Sequence, residues 1–256
     1  MAGGFKDHFS DASNDYRLYR PHYPAELFSY LAGLSPQRYC AWDCATGSGQ
    51  SAVALSDYFS KVIATDASAA QIDSARLVDS PNSRNKICYR VARAEQSEID
   101  KDSVDLIAVA QALHWFDIPA FALEADRVLK HGGMLAVWTY NLLEIQPVID
   151  QQVNHLYASI LGDYWPEERQ MVENGYANIS FPFNELKPPC FEMKAAWMLP
   201  QLLGYLHTWS ALKRYQKERG VDPVESMMNE FLSSWGAPDS IRAVRWPLSL
   251  RVWKKN

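Results

Sequence analysis

Strand-like and helical patterns alternate along the first half of this chain. Five short runs of mostly apolar residues read as strands, at 39–44, 61–65, 87–91, 104–109 and 134–138. The segments at 50–59, 69–77 and 118–129 instead carry apolar residues at helical spacing. This alternation is typical of parallel strands joined by helical crossovers on both faces of one sheet. The sequence therefore predicts a doubly wound, Rossmann-like α/β core.

The residues after Tyr140 follow a different pattern. Four longer helical stretches and two strand-like runs are predicted there, the helices at 147–161, 165–174, 200–218 and 223–235 and the strands at 191–199 and 243–253. We expect the two runs to complete a mostly parallel seven-stranded sheet with an antiparallel edge strand. The helices then become insertions that cover the carboxyl ends of the sheet as a lid.

Charge and composition exclude several classes of function. The net charge of −5 and a pI near 5.7 leave no broad basic surface, so we expect no nucleic-acid partner. No run approaches the roughly 18–20 apolar residues of a membrane span, and the first residues lack the apolar core of a signal peptide. A cytoplasmic protein is therefore expected. The four cysteines form no C-x-x-C pair, so no metal site is expected.

A glycine-rich turn follows the first predicted strand. The sequence from Gly47 to Ala52 fits the dinucleotide pattern G-x-G-x-x-G/A, and Asp66 comes 19 residues after Gly47, at the end of the second strand. A carboxylate at that place can accept hydrogen bonds from two ribose hydroxyls. On these features alone, a nicotinamide-dependent oxidoreductase is one interpretation.

Asp43 favours a different nucleotide. It stands at the end of the first strand, four residues before Gly47, where an anion repels a pyrophosphate and attracts a cation. A nucleoside with a positively charged amino-acid tail combines ribose hydroxyls with such a cation. S-adenosylmethionine has this chemistry, and NAD does not.

The run Asp43-Cys44-Ala45-Thr46-Gly47-Ser48-Gly49 resembles a known motif. It is similar to the first motif, D/E-x-G-x-G-x-G, of the class I S-adenosylmethionine-dependent methyltransferases, with Ala45 in place of the first glycine. The order of the later motifs also resembles that family, and in particular its small-molecule branch, which includes the ubiquinone-biosynthesis and trans-aconitate methyltransferases. The resemblance implies that Asp43, Ala45, Gly47 and Gly49 contact S-adenosylmethionine.

Two further segments resemble cofactor-binding motifs of the same family. The end of the second strand resembles the ribose-binding motif, which implies that Asp66 and Ala67 bind the ribose. The turn after the third strand resembles the segment that frames the adenine. Many relatives carry an Asp where this chain has Arg93, so the expected adenine contacts are Ala94, through its backbone amide, and Glu95.

The loop after the fourth strand and an N-terminal segment complete the implied site. Gln111 is expected along the methionine part of the cofactor, His114 as a general base, and Trp115 facing the acceptor. The segment that contains Tyr16 and Arg20 resembles the cap of the family. Both residues are expected to bind the cofactor, Arg20 through the carboxylate that suits its planar fork.

These features predict a single domain over residues 1–256. It comprises an N-terminal cap segment (1–33), a cofactor-binding core (34–141), and lid helices plus the last two strands (142–256). The expected activity is in-line methyl transfer from S-adenosylmethionine to a small-molecule acceptor, a carboxylate by resemblance to the trans-aconitate enzymes, with Trp209 of the lid as a further acceptor contact. Two alternatives stay open, a nicotinamide-dependent oxidoreductase and a non-catalytic S-adenosylmethionine-binding protein. The protein is expected to be a monomer or a homodimer.

Overall fold

The computed structural model describes residues 19, 21–77 and 85–256. Tyr16 and Arg20, which the sequence assigns to the cofactor, lie outside the described residues. The remaining predicted site residues all fall within them. The fold and the site are therefore built below from the core and the insertions.

One sheet organises the described chain. Its strands are β1 (Cys40–Cys44), β2 (Lys61–Asp66), β3 (Ile87–Val91), β4 (Val104–Ala110), β5 (Leu129–Tyr140), β6 (Asn184–Leu186), β7 (Phe191–Trp197) and β8 (Arg242–Lys254). The strand order is β3-β2-β1-β4-β5-β8-β6, and β7 also pairs with β8. The first five strands are parallel, whereas β8 runs antiparallel to β5 and to both of its other partners.

Strands β6 and β7 lie along the same edge of β8. Leu186 is opposite Val252 and Phe191 is opposite Leu248, so the two short strands follow one another along a single partner. The residues between them include Pro188 and Pro189, which cannot donate a backbone hydrogen bond. The sheet is thus seven strands wide, and the antiparallel pairing predicted for this side of it is confirmed.

Helices cover both faces of the parallel strands, as the alternation predicts. On one face α1 (Ala25–Leu34) and α2 (Gln50–Ser56) pack over β2 and β4, with Leu27, Leu55, Val62 and Leu106 in one buried cluster. On the other face α4 (Ile118–Val128) packs through Phe121. A further helix, α3 (Ala69–Arg76), connects β2 to β3. Adjacent strand residues point to opposite faces, which is why the buried strands are apolar throughout.

The boundary between α4 and β5 differs from the prediction. The sequence places a helix stop at Gly132-Gly133, but α4 ends at Val128 and β5 begins at Leu129. Both glycines lie in a bulge, where the register with β4 shifts. A Cβ on Gly133 would come within 2.9 Å of the Lys130 carbonyl oxygen, so the bulge requires glycine there.

Two helical insertions interrupt the antiparallel side of the sheet. The first, between β5 and β6, contains α5 (Pro147–Asn154), a π-helical turn (His155–Ile160), a 3-10 turn (Gly162–Tyr164) and α6 (Arg169–Glu173). The second, between β7 and β8, contains α7 (Leu199–His207), α8 (Ser210–Arg219), α9 (Pro223–Ser226) and α10 (Met228–Trp235). None of the helices among the described residues is long and apolar enough to cross a bilayer.

The single helix predicted at 200–218 is two helices. Trp209 has extended backbone angles, φ −70° and ψ 130°, and separates α7 from α8. Just before it, the Tyr205 carbonyl oxygen accepts from both the backbone N–H and the hydroxyl of Thr208, at 3.0 and 2.6 Å. After the break, α8 contacts the 3-10 turn of the first insertion.

Candidate active site

The glycine-rich loop after β1 adopts a left-handed backbone at three positions. Ala45, Gly47 and Gly49 have φ angles of 57°, 54° and 83°. The loop is tied to β2 because the Thr46 backbone N–H donates to the Thr65 carbonyl oxygen at 2.8 Å. Ala45 stands where the family motif has glycine, and its backbone takes the conformation that glycine adopts without strain.

The side chain of Asp43 places a buried carboxyl group beside this loop. It is 1% exposed, and its Oδ2 accepts a hydrogen bond of 2.5 Å from the Thr46 hydroxyl. Its Oδ1 is buried and has no hydrogen-bond partner among the described residues. Burial, with a further contribution from Asp66, raises the pKa of Asp43 to about 7, against the bonds from Thr46 and the nearby Ala52 backbone. A cation bound at Oδ1 would favour the ionised form.

Asp66 links the glycine loop to the turn after β2. Its Oδ2 accepts from the Gly47 backbone N–H at 3.0 Å, and its Oδ1 accepts from the Ser68 backbone N–H at 2.9 Å. Ala67 lies between these two anchor points. A carboxylate oxygen can accept more than one hydrogen bond, so both oxygens can also receive a hydroxyl of a ribose.

Glu95 joins the turn after β3 to the start of α4. Its Oε1 accepts from the Asp117 backbone N–H at 3.0 Å, and its Oε2 accepts from the Arg93 Nε at 3.2 Å. Ala94 beside it is buried. The structure thus brings Ala94 and Glu95 to the same edge of the sheet as the loops after β1 and β2, because the carboxyl ends of parallel strands meet there.

A chain of side-chain hydrogen bonds crosses the carboxyl ends of β4 and β5. The Gln111 Nε2 donates to the Tyr140 carbonyl oxygen at 3.1 Å, and the Thr139 hydroxyl donates to the Gln111 Oε1 at 2.5 Å. Thr139 also bonds the side chain of Tyr176, whose hydroxyl lies 2.9 Å from the His114 Nδ1. The chain connects the loop after β4 to the turn that follows α6.

The direction of the first two bonds follows from the Tyr140 carbonyl oxygen. A carbonyl oxygen only accepts, so Gln111 presents its NH₂ to Tyr140 and its oxygen to Thr139. Thr139 therefore donates its single proton to Gln111. The Tyr176 hydroxyl also bonds the backbone of Leu113 and His114, and these bonds oppose the rise in its pKa that burial causes.

His114 is uncharged at neutral pH. Burial, together with the positive charge of Arg169, lowers its pKa to about 3. Its ring lies 4.7 Å from the ring of Trp115, the next residue of the 3-10 turn (Leu113–Trp115). A pKa this low makes the imidazole a weak base.

The comparisons with known proteins agree with this geometry. A family model described as a methyltransferase domain matches residues 42–137. A protein of Dictyostelium discoideum that is named as a methyltransferase is 32% identical over 258 residues, which cover 98% of this chain and 96% of that protein. The chain belongs to the methyltransferase family.

Two further relatives support the assignment of this methyltransferase. A structure from Anaeromyxobacter dehalogenans, described as a type II methyltransferase, superposes with a TM-score of 0.85 at 38% identity, covering 92% of this chain and 98% of that one. A Saccharomyces cerevisiae protein named as an S-adenosylmethionine-dependent methyltransferase is 30% identical over 140 residues, 53% of this chain and 46% of the relative. The methyltransferase is thus a class I enzyme with S-adenosylmethionine as its cofactor, and the two alternative interpretations are not favoured.

Trp209 lies in the aromatic core of the insertions of the methyltransferase. It is 5% exposed, and its ring contacts those of Tyr157, Trp165 and Tyr205 at centroid distances of 5.8, 5.6 and 6.0 Å. Tyr157 in turn stacks against Arg169, whose guanidinium carbon lies 5.4 Å from the ring centre. Trp209 is therefore linked to the sheet ends through Tyr157 and Arg169.

Sequence analysis missed four residues of this site, Thr139, Asn141, Arg169 and Tyr176. Each contacts a partner from another element, and no local motif marks them. The strongest available signal is Gly175, which follows a predicted helix and indicates a turn. In the structure Gly175 and Tyr176 both have positive φ angles, of 57° and 60°. Three of the five non-glycine residues with positive φ in the described chain, Ala45, Gln111 and Tyr176, lie in this site, a distribution typical of functional sites.

Proposed function

We propose that this methyltransferase transfers a methyl group to a small molecule bound over the carboxyl ends of β4 and β5. The observation that carries the proposal is the hydrogen bond of 2.9 Å between Tyr176 and His114. It joins the first insertion to the loop after β4, and from this we infer a site covered, or roofed, by the first insertion. A roofed site suits a small acceptor better than a segment of a macromolecule.

The cofactor residues are assigned by the edge that they share. Asp66 and Ala67 are proposed to bind the ribose, and Ala94 and Glu95 to frame the adenine. The methionine part is assigned to the residues of the glycine loop and its neighbours, Asp43, Ala45, Gly47, Gly49 and Gln111, together with Tyr16 and Arg20. S-adenosylmethionine supplies an electrophilic methyl group on a sulfonium, and the unpartnered Oδ1 of Asp43 offers its cationic amino-acid end a carboxylate.

The acceptor is proposed to be ionised before it binds, as a carboxylate is at neutral pH. His114 has too low a pKa to remove a proton from an alcohol or phenol efficiently, so alignment contributes more than base catalysis. We assign to the neutral imidazole of His114 the task of orienting the acceptor beside Trp115. Trp209 is retained as an acceptor contact that acts from the second insertion.

Calorimetric titration tests the cofactor assignment. S-adenosylmethionine and S-adenosylhomocysteine are expected to bind with a Kd in the micromolar range, and NADH is expected not to bind. Small carboxylic acids are then screened for release of S-adenosylhomocysteine. Binding of NADH alone would overturn the proposal in favour of an oxidoreductase, and donor binding without turnover of any acceptor class would favour a non-catalytic binding protein.

The oligomeric state and domain structure are tested separately. We infer that residues 1–256 form one domain and that it is a monomer or a homodimer. A molar mass from light scattering distinguishes these two states, and a single unfolding transition is expected by both fluorescence and circular dichroism. Two separated transitions would contradict the single domain.

A further inference from the structure

Arg169 is anchored next to the ends of β4 and β5. Its Nη2 donates to the Asn141 Oδ1 at 3.0 Å, and Asn141 directly follows β5. Its Nε donates to the Tyr157 hydroxyl at 2.8 Å. The guanidinium also lies over the rings of Tyr157 and Trp165, at 5.4 and 5.1 Å from their centres. These contacts fix the plane of the guanidinium beside the roofed site.

The positive charge of Arg169 is not neutralised by a direct partner. No carboxylate of the described residues lies within the 4.0 Å of an ion pair, although the residue is only half-exposed. Glu173 is reached only through the Tyr157 hydroxyl, which donates to it. Both anchoring bonds use uncharged acceptors. Of the five N–H donors of a guanidinium, those of Nη1 bond no described residue.

This charge is directed at the acceptor side of the site. It lowers the pKa of His114 and opposes the rise in the pKa of Tyr176, the two residues that join the insertion to the loop after β4. A half-buried cation gains more from a charged partner than an exposed cation does, because the surrounding dielectric is lower than in water. The Nη1 edge of a fixed guanidinium suits the two oxygens of a carboxylate or phosphate.

We propose that Arg169 recognises an anionic group of the methyl acceptor, a carboxylate or a phosphate, and so selects anionic acceptors. The inference rests on the proposed function, because it places the acceptor in the roofed site. The aromatic rings of Tyr157 and Trp165 hold the guanidinium in position, and the bond to Asn141 fixes its distance from β5. Arg169 is thus a specificity-determining residue that sequence motifs do not mark.

The test compares anionic probes with neutral probes of the same carbon skeleton. Succinate, trans-aconitate and phenyl phosphate are titrated into the S-adenosylhomocysteine complex, alongside succinamide and phenol. We expect at least one anion to bind the wild-type enzyme with a Kd of about 1 mM, so that a concentration of about 10 mM nearly saturates the site. The Kd of each neutral probe should be at least tenfold higher. The carboxylate and phosphate arms identify which anion is preferred.

Three variants separate recognition from structural support. Arg169→Gln is expected to lower the affinity for the preferred anion by at least tenfold, and Arg169→Lys is expected to lower it by less. Arg219→Gln is the matched control, because Arg219 also donates its Nε to a tyrosine hydroxyl, that of Tyr164, but is exposed and paired with Glu218. This control is expected to bind the anion as the wild type does.

The outcomes distinguish the inference from the function on which it rests. If wild type binds S-adenosylhomocysteine but no anionic probe, or if Arg169→Gln binds the anion normally, the inference is overturned and the cofactor assignment stands. Arg169 would have a structural role only if Arg169→Gln melts at a lower temperature while its folded fraction still prefers anionic to neutral probes as the wild type does. Arg169→Lys would then show the same unchanged preference. Absence of S-adenosylhomocysteine binding by the wild type would overturn the proposed function itself.

Discussion

The proposed donor side, around the glycine loop and Asp66, and the proposed acceptor side, around Gln111, Thr139 and Tyr176, are built in different ways. On the donor side, Gly47, Asp66 and Ser68 lie within one short stretch of chain and are connected by bonds to the backbone. On the acceptor side, Gln111, Thr139 and Tyr176 come from three separate elements and are connected through side chains. Backbone bonds need few particular residues, whereas each side-chain bond needs its own. The acceptor side can therefore change with the substrate while the donor side stays constant.

The largest expected effect comes from the aromatic packing of the acceptor side. Trp209→Ala is expected to lower the free energy of unfolding by about 3–5 kcal/mol, because it leaves a cavity among buried rings. Urea denaturation measures this change. Trp209→Phe keeps an aromatic ring there and should cost only about 1 kcal/mol. Equal stability of the alanine variant would show that Trp209 is not part of the core.

Removal of the Asp66 carboxylate tests the donor side. Asp66→Ala loses both backbone bonds and the proposed ribose contacts, so the binding free energy of S-adenosylhomocysteine should weaken by about 1–3 kcal/mol. Calorimetry measures the affinity. Asp73→Ala, in the same region but exposed and, among the described residues, paired with Arg76, is the control and should bind normally. An unchanged affinity in Asp66→Ala would place the ribose elsewhere.

Asp43 gives the donor side a dependence on pH. Its pKa is about 7 in the folded protein and about 4 in the unfolded chain, so the folded state binds more protons between these values. Stability contributed by this group therefore falls as the pH rises from 4 to 7, by at most about 1.4 kcal/mol per pH unit. Denaturation curves measured from pH 4 to pH 7 should show that the unfolding free energy of Asp43→Asn lacks this decrease. An equal decrease in the variant and the wild type would contradict the raised pKa of Asp43.

Tyr176→Phe tests the hydrogen-bond chain of the acceptor side. Loss of the hydroxyl removes the hydrogen-bond partner of the His114 Nδ1, and we expect a loss of about 1 kcal/mol in unfolding free energy. Nitrogen chemical shifts of the imidazole should show one tautomer in the wild type and a mixture of tautomers in the variant. Affinity for S-adenosylhomocysteine should not change. A mixture of tautomers in the wild type would show that the bond to Tyr176 does not hold the imidazole.

The smallest expected effect concerns the glycine loop. Ala45→Gly should stabilise the fold by about 0.5 kcal/mol, because relief of the left-handed strain exceeds the added entropy of the unfolded chain. The same substitution at Ala54, inside α2, should destabilise by about 1 kcal/mol. Thermal unfolding of the two variants gives the comparison. Equal destabilisation by both would mean that Ala45 is not strained.

The sequence predicted the parallel core well because it depends on local patterns. The strands β1 to β4 lie where the apolar runs place them, with Asp43 one residue before the end of β1 and Asp66 at the end of β2. The helix predicted at 200–218 breaks at Trp209, since burial of that ring against another insertion overrides helical spacing. Arg169 was not identified because its proposed role depends on its bonds to Asn141 and Tyr157. These residues lie in other segments of the chain and belong to no motif.

The last strand in the chain is not the last strand in the sheet. Among the strands that the structure describes, β6 and β7 pair with β8 alone, and the Arg251 side chain of β8 bonds the Tyr176 carbonyl oxygen. During synthesis the donor side can therefore assemble first, while the acceptor side waits roughly ten seconds for about 110 further residues. Throughout that interval β5 has an open edge. Newly made chains are then most exposed to pairing with one another, so the ribosome's pace over these residues matters for yield.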